Sequence, residues 1–210
     1  MTSDQIKLGI GIMAVPQRTA NVNKILQELN VDAQVFYDHD NIGTYKASKR
    51  VFTTLAQDES LTHILVLQDD VALCENFTEI VYKVIGANPN VIINLYNPKF
   101  SSYDVSDCPY FTFDLFTMFS GQAIIMPRQI AINCFTWCDL HPNKRKSFLN
   151  ADDSSIKIFA LSNNIPRIGT KVSLVQHLML TNPKGIVPIS HKSRLFLDDF
   201  ANKNDIDWQV

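Results

Sequence analysis

Four short apolar runs in the first 96 residues, separated by amphipathic stretches, restrict this chain to very few folds. They are "KLGIGIMAV" (7–15), "AQVFYDHD" (33–40), "THILVLQDDV" (62–71) and "VIINLY" (91–96). Each has the length and apolar content of a buried strand. A helix is predicted from Thr19, with Val22, Ile25, Leu26 and Leu29 at helical spacing. Two more are predicted over residues 41–57, after a glycine turn, and 75–87, stopped by Asn88-Pro89-Asn90. The order β-α-β-α-β-α-β predicts an α/β fold with a mainly parallel sheet and helices on both faces. Such sheets bind ligands beyond the carboxyl ends of their strands. Arg18, Asp38, Asp40, Asp69 and Asp70 are therefore expected along one edge.

The second half is less regular. Residues 97–111 read as a polar, aromatic loop, and 116–135 as a strand followed by a helix from about Pro127. His141 to Ser147 is an exposed basic loop. Residues 152–164 form a helix whose first turn carries Asp152, Asp153, Ser154 and Ser155, good N-terminal residues. Residues 167–180 read as a late strand or extended segment. The division expected is one domain over 1–181 and an extension over 182–210, with Lys184, His191, Lys192 and Arg194, packing on or near the active site.

Hydrophobic residues make up 46% of the 210, enough for a substantial core. The net charge of −2 gives no global attraction to nucleic acid or anionic membrane, though local basic clusters remain. The N-terminus lacks the basic and apolar regions of a signal peptide. No apolar run approaches the roughly 20 residues that span a bilayer. A cytoplasmic protein with no membrane span is expected. Without a secretion signal, Cys74, Cys108, Cys134 and Cys138 are expected as thiols. "CFTWCDLH" sets Cys134, Cys138 and His141 close together, but the usual C-x2-C partner pair is absent and the segment reads as a helix end.

The run 62–71 raises a physical question, because it carries two adjacent carboxylates, Asp69 and Asp70. Like charges side by side near a low-dielectric core are unfavourable. Mg²⁺ or Mn²⁺ removes that difficulty, since either takes carboxylate oxygens and bridges to substrate phosphates. The plainer alternative is a pair of acids opening a solvent loop.

"LVLQDDV" resembles the acidic motif of GT-A-fold glycosyltransferases, which ends a central strand as D-x-D or E-D-D. The fold this implies is α/β, GT-A-like (Rossmann-like), with a mixed, mainly parallel sheet flanked by helices. The resemblance implies that Asp70 contacts the metal and that Asp69 helps bind metal or ribose. Gln68 stands where these enzymes often have an acid. "KVSLVQHLML" is similar to a late "P-S-L-V-Q-H" segment of the family, with Val172 replacing the proline, and implies His177 as the second metal ligand. A core histidine is the alternative.

"NADDSSIKIFA" resembles the helix start where inverting members place the general base. Asp153 is preferred there over Asp152, and simple N-capping by Asp152 is the alternative. "MFSGQAIIMPRQIA" resembles the segment beside the donor sugar, which implies Gly121 and Gln122; a glycine bend in an inner strand would look the same. Arg18 suits the diphosphate or base, Asp38 or Asp40 the ribose or uracil, and Lys49, with Lys46 and Arg50, the phosphate unless these line a solvated face.

The leading reading is a metal-dependent, inverting glycosyltransferase, compact like bacterial and phage members. It would take a nucleotide-diphosphate sugar, UDP-sugar favoured, with Mn²⁺ or Mg²⁺. The acceptor would be a glycan, a lipid-linked carrier or a hydroxymethylated base of phage DNA, with Lys144, Arg145 and Lys146 near the base. The alternatives are a nucleotidyltransferase, whose Gly-rich basic loop is missing after the first strand, and a nucleotide-sugar binding or sequestering protein without turnover.

Overall fold

The computed structural model describes residues 5–98, 108–113, 120–144, 151–181, 192–199 and 206–209. Its strands are β1 (Leu8–Ala14), β2 (Gln34–Tyr37), β3 (His63–Gln68), β4 (Val71–Leu73), β5 (Ile92–Asn94), β6 (Tyr110–Thr112), β7 (Ala123–Pro127), β8 (Arg167–Thr170) and β9 (Val175–His177). Its helices are α1 (Thr19–Leu29), α2 (Thr44–Leu55), α3 (Phe77–Ala87), α4 (Arg128–Leu140) and α5 (Asp152–Ser162).

Seven strands form one sheet in the order β2-β1-β3-β7-β5-β8-β6. Strands β2, β1, β3, β5 and β8 run one way, and β7 and β6 oppose them. The result is the expected mixed, mainly parallel, Rossmann-like α/β sheet flanked by helices.

Alternation along β3 shows why its sequence is apolar throughout. Leu65 and Leu67 face the core shared with Val22 and Ile25 of α1 and Val81 and Val84 of α3. Ile64 and Val66 face the other core, with Phe52 of α2, Phe135 of α4 and Ile156 of α5. A sheet covered on both faces has no solvent side on which to place polar residues. Each fully buried side chain of this kind stabilises the fold by roughly 1.5–3 kcal/mol. Close packing is local as well. A Cβ on Gly11 would lie 2.2 Å from Val51 Cγ1, so Gly11→Ala would push α2 off β1.

Three local expectations need correction. Residues 62–71 do not form one strand: β3 ends at Gln68, Asp69 and Asp70 turn, and β4 leaves the main sheet. The late strand expected over 167–180 is likewise two. Strand β8 joins the main sheet, and β9 pairs antiparallel with β4 in a separate two-stranded sheet. The fourth predicted strand forms as β5, with β7 running antiparallel between it and β3. Strand β6 also falls inside the segment expected as a loop.

The described parts of residues 182–210 pack on this same body. Leu197, Ile206 and Trp208 are buried in the core that holds Leu65. Ser193 ties to the end of the domain through Gln176, which accepts its backbone N–H at 2.8 Å. Lys184, His191, Arg145 and Lys146 lie outside the described residues.

Candidate functional site

The carboxyl ends of β1, β2 and β3 open onto a cavity of about 230 Å³, lined by Arg18, Asp38, Thr44, Gln68, Asp69 and Asp70 among others. After β1 a short 3-10 turn, Pro16–Arg18, begins with proline and carries the guanidinium toward the neighbouring strand. Arg18 Nη1 donates to Asp69 Oδ1 at 2.7 Å and to Asp70 Oδ2 at 2.8 Å. The Val15 N–H donates to Asp69 Oδ2 at 2.6 Å. Asn21, on α1, fixes the turn between β3 and β4 by donating to Asp69 O at 2.7 Å and Val71 O at 3.1 Å. Burial pushes the Asp69 carboxyl above its ordinary range, while the Val15 N–H and Arg18 pull it back. The adjacent carboxylates thus have an internal partner, Arg18.

The β4–β9 pairing sets Val71 opposite His177, and the Leu178 N–H donates to Asp70 O at 2.7 Å. His177 Nε2 consequently lies 3.4 Å from Asp70 Oδ2. That is longer than an ordinary N–H···O bond. Tyr96 lies edge-on to His177, ring centroids 6.3 Å apart. Burial, and then the charge of Asp70, push the Tyr96 hydroxyl upward in pKa.

Around this turn three buried atoms have no hydrogen-bond partner among the described residues: Asp70 Oδ1, His177 Nδ1 and Tyr96 Oη. Buried polar groups are nearly always bonded, so each such exception needs a reason. A divalent cation is one candidate. Two donors in adjacent positions of an octahedral ion, at about 2.1 Å each, lie about 3.0 Å apart; the other two donor atoms of these side chains, Asp70 Oδ2 and His177 Nε2, are 3.4 Å apart. Among the described residues no three His, Cys, Asp or Glu side chains are grouped to hold a metal. The pair is an open, two-donor arrangement, of the kind that Mg²⁺ completes with water and substrate phosphate. The residues fit a cation on those terms.

A second polar group adjoins the cavity. Asp152, the first residue of α5, is buried, and Thr44 at the start of α2 hydrogen-bonds its carboxylate. A Cβ on Gly121 would lie 3.0 Å from Asp152 Oδ2 and 3.0 Å from Gln68 Nε2. A side chain at 121 would press on both groups and force them to shift. Burial, with the charge of Asp153 next, raises the Asp152 carboxyl to about 6. Asp153 is less buried and turns its Oδ1 to its own helix, accepting the Ser154 N–H at 2.5 Å. Burial raises its carboxyl as well.

The remaining expected residues are scattered. Asp38 lines the cavity, its carboxylate accepting the Ile42 N–H at 2.9 Å. Asp40 is exposed and does not line it. Lys49 stands apart, paired with Asp139 of α4 at 2.5 Å. Gln122 supplies its carbonyl to the Gln68 N–H at 2.9 Å, and its side chain takes the Ser120 hydroxyl. None of the four cysteines is in a disulfide. Cys134 and Cys138 belong to the apolar face of α4, and His141 stacks on Trp137. Lys144 lies over the same Trp137 ring.

Asn21, Thr44 and Tyr96 escaped the sequence reading. Each stands alone in an apolar or helical context, where nothing in the local pattern announces a role. Gln68, noted only as a departure from an acidic motif, faces Asp152 across Gly121. Among the described residues no helix is long and apolar enough to cross a membrane. The fold and the strand-end position of the site define an α/β protein with a Rossmann-like sheet and a polar, acid-bearing cavity. No protein-family model matches the chain, and no curated protein matches it.

Proposed function

We propose that this protein is a metal-dependent glycosyltransferase of the GT-A kind, using a nucleotide-diphosphate sugar, UDP-sugar favoured, and an acceptor hydroxyl. One observation carries the reading: the Asp69–Asp70 turn at the end of β3 lines the cavity and stands beside His177, with Asp70 Oδ1 and His177 Nδ1 left without a hydrogen-bond partner. Asp70 and His177 would hold Mn²⁺ or Mg²⁺. A bound cation would stabilise the departing diphosphate. Arg18 and Asp38 line the space for the nucleotide. Asp152 is the better placed of the two candidate bases. A carboxyl raised to about 6 is ionised at neutral pH and still basic enough to take a hydroxyl proton. Inversion follows from a base acting opposite the leaving group.

A second reading has one specific observation in its favour. Arg18 already supplies positive charge to the carboxylates, which suits a protein that binds a nucleotide sugar without metal or turnover. Calorimetric titration with nucleoside diphosphates and their sugars, with and without Mn²⁺, on wild type and Asp70→Ala, separates the two. The transferase reading expects Mn²⁺-dependent binding of one nucleotide, weakened at least about 100-fold by Asp70→Ala, with slow donor hydrolysis. Metal-independent binding without hydrolysis identifies the sequestering protein. No binding of any nucleotide sinks both.

A further inference from the structure

The guanidinium of Arg18 is engaged on two sides. Toward the strands, Nη1 makes short, charge-assisted bonds to Asp69 Oδ1 and Asp70 Oδ2, 2.7 and 2.8 Å. Toward the end of β9 its contacts are long: Nη2 to Leu180 O at 3.3 Å and to Thr181 O at 3.4 Å, and Nε to Thr181 O at 3.4 Å. The strong bonds are therefore those a cation would contest. Asp70 Oδ2 is the atom at issue, because it faces both Arg18 Nη1 and His177 Nε2. Two carboxylates carry two negative charges against one guanidinium, so the site is not fully neutralised. A divalent ion on Asp70 and His177 would overcompensate it and would repel Arg18 across a few ångströms of poorly screened space. Arg18 also lines the cavity, so a guanidinium that leaves the carboxylates stays where the nucleotide enters. Its planar fork suits a phosphate as well as it suits a carboxylate.

We infer that Arg18 is an exchangeable counter-ion, which neutralises Asp69 and Asp70 in the empty site and passes to the donor's diphosphate when a divalent cation takes Asp70 and His177. The inference rests on the proposed donor site and adds a specificity device to it. A cation arriving alone must displace Arg18 from Asp70, leaving it only Asp69 and, across the cavity, Asp38, whose carboxylate already takes the Ile42 N–H. A diphosphate arriving alone meets an arginine already engaged beside an acidic pair. When both arrive, each charge finds a partner. Binding of the two ligands is then mutually dependent, and the dependence is reciprocal.

Simple charge removal does not imitate this behaviour. Losing Arg18 tightens cation binding whether or not the residue exchanges. Exchange requires in addition that the same substitution weaken the diphosphate and reduce the coupling between Mn²⁺ and diphosphate. The test is calorimetry on the full chain with MnCl2 alone, then with UDP, GDP and inorganic pyrophosphate at saturating Mn²⁺. It compares wild type, Arg18→Gln and Arg18→Lys. Arg18→Gln should bind Mn²⁺ about tenfold more tightly and the diphosphate about tenfold more weakly than wild type. Arg18→Lys keeps the charge and loses the fork, and should fall between on both measures. Wild type should show Mn²⁺ and diphosphate strengthening one another by the same factor. If Arg18→Gln does not fold, Arg18→Lys and the wild-type reciprocity carry the test. Tighter Mn²⁺ with unchanged or tighter diphosphate overturns the exchange and leaves the donor site standing. So does a wild type that binds both ligands independently. A wild type that binds neither Mn²⁺ nor any diphosphate overturns both.

Discussion

His63 and His177 are both buried, 2% and 4% exposed; His63 opens β3, and His177 pairs with Val71 just past the other end of that strand. His63 begins β3 and lines a cavity of about 280 Å³ with Thr62, Pro89 and Arg128. Its Nδ1 is 2.9 Å from Thr62 Oγ1, and its Nε2 is 2.9 Å from Pro89 O. Arg128 is settled too, donating from Nε to Ala56 O at 2.8 Å. His177 has Asp70 at 3.4 Å on one nitrogen and no partner on the other. Two buried imidazoles near two cavities of similar size thus differ in whether their bonding is complete. A finished hydrogen-bond set marks a residue that holds the fold. An unfinished one, buried where water is scarce, marks a place kept for something else.

The strongest way to break this contrast is a crossed pair of substitutions. His63→Ala removes a buried ring and strands the Pro89 carbonyl, and should lower stability by about 2–4 kcal/mol in urea titration. Nucleotide binding, referred to folded protein, should not change. Asp70→Ala removes one of two like charges and leaves Arg18 with Asp69, so stability should stay within about 1 kcal/mol while binding disappears. A His63→Ala protein that folds well but fails to bind would end the contrast.

Acidity sharpens it further, because the two ends titrate with opposite sign. The Asp152 carboxyl rises from 3.8 to about 6 on folding. Between those values the folded chain holds a proton that the unfolded chain has released. The associated stability is full below the lower value and is lost as pH rises through the upper one. A shift of about two units corresponds to roughly 3 kcal/mol. Asp152→Asn should therefore stabilise the protein by about 2–3 kcal/mol at pH 8 and by almost nothing at pH 4. Burial lowers the His63 pKa below 6.5, only partly offset by the Pro89 carbonyl. Its contribution is full above 6.5 and is lost as pH falls. Denaturation midpoints across pH 4–8 should accordingly show the Asp152→Asn optimum displaced to higher pH. An unchanged profile would refute the buried, raised carboxyl.

The smallest effect is expected at Lys49. Its pairing with Asp139 is exposed on both sides. Lys49→Ala should change stability by less than about 0.5 kcal/mol and leave nucleotide affinity where it was. A clear loss of affinity would return Lys49 to the site.

The first three strands and three helices were legible because their apolar spacing is a local property. Ile64 through Leu67 could only be a buried strand, and Val22, Ile25 and Leu29 only a helix face. Asp69 and Asp70 stood out because like charges beside an apolar run are physically awkward. Strand partnership was not legible. Periodicity identifies β7 as a strand but not that it would run antiparallel between β3 and β5. Nor does an apolar run reveal that it will be shared, as β3 and β4 share theirs, between two sheets. The different settings of Asp152 and Asp153 were not legible for a similar reason. A helix-start rule treats neighbouring acids alike, and only the packing of Gly121 against Asp152 tells them apart. That Arg18 would also pair with Asp69 and Asp70 was not legible, because those partners are about fifty residues away.

Arg18, Asp69 and Asp70 all belong to the first third of the chain, and His177 follows more than a hundred residues later. On a ribosome adding about 5–20 residues per second, the acids emerge several seconds before the imidazole exists. During that interval β1 and β3 can already align in register, and His177 is not yet there to meet Asp70. The arginine comes first in the order of birth, ahead of the charges it must meet. It lets the oldest part of the sheet close on its own, so that the later strands dock onto an edge whose two carboxylates already share a guanidinium.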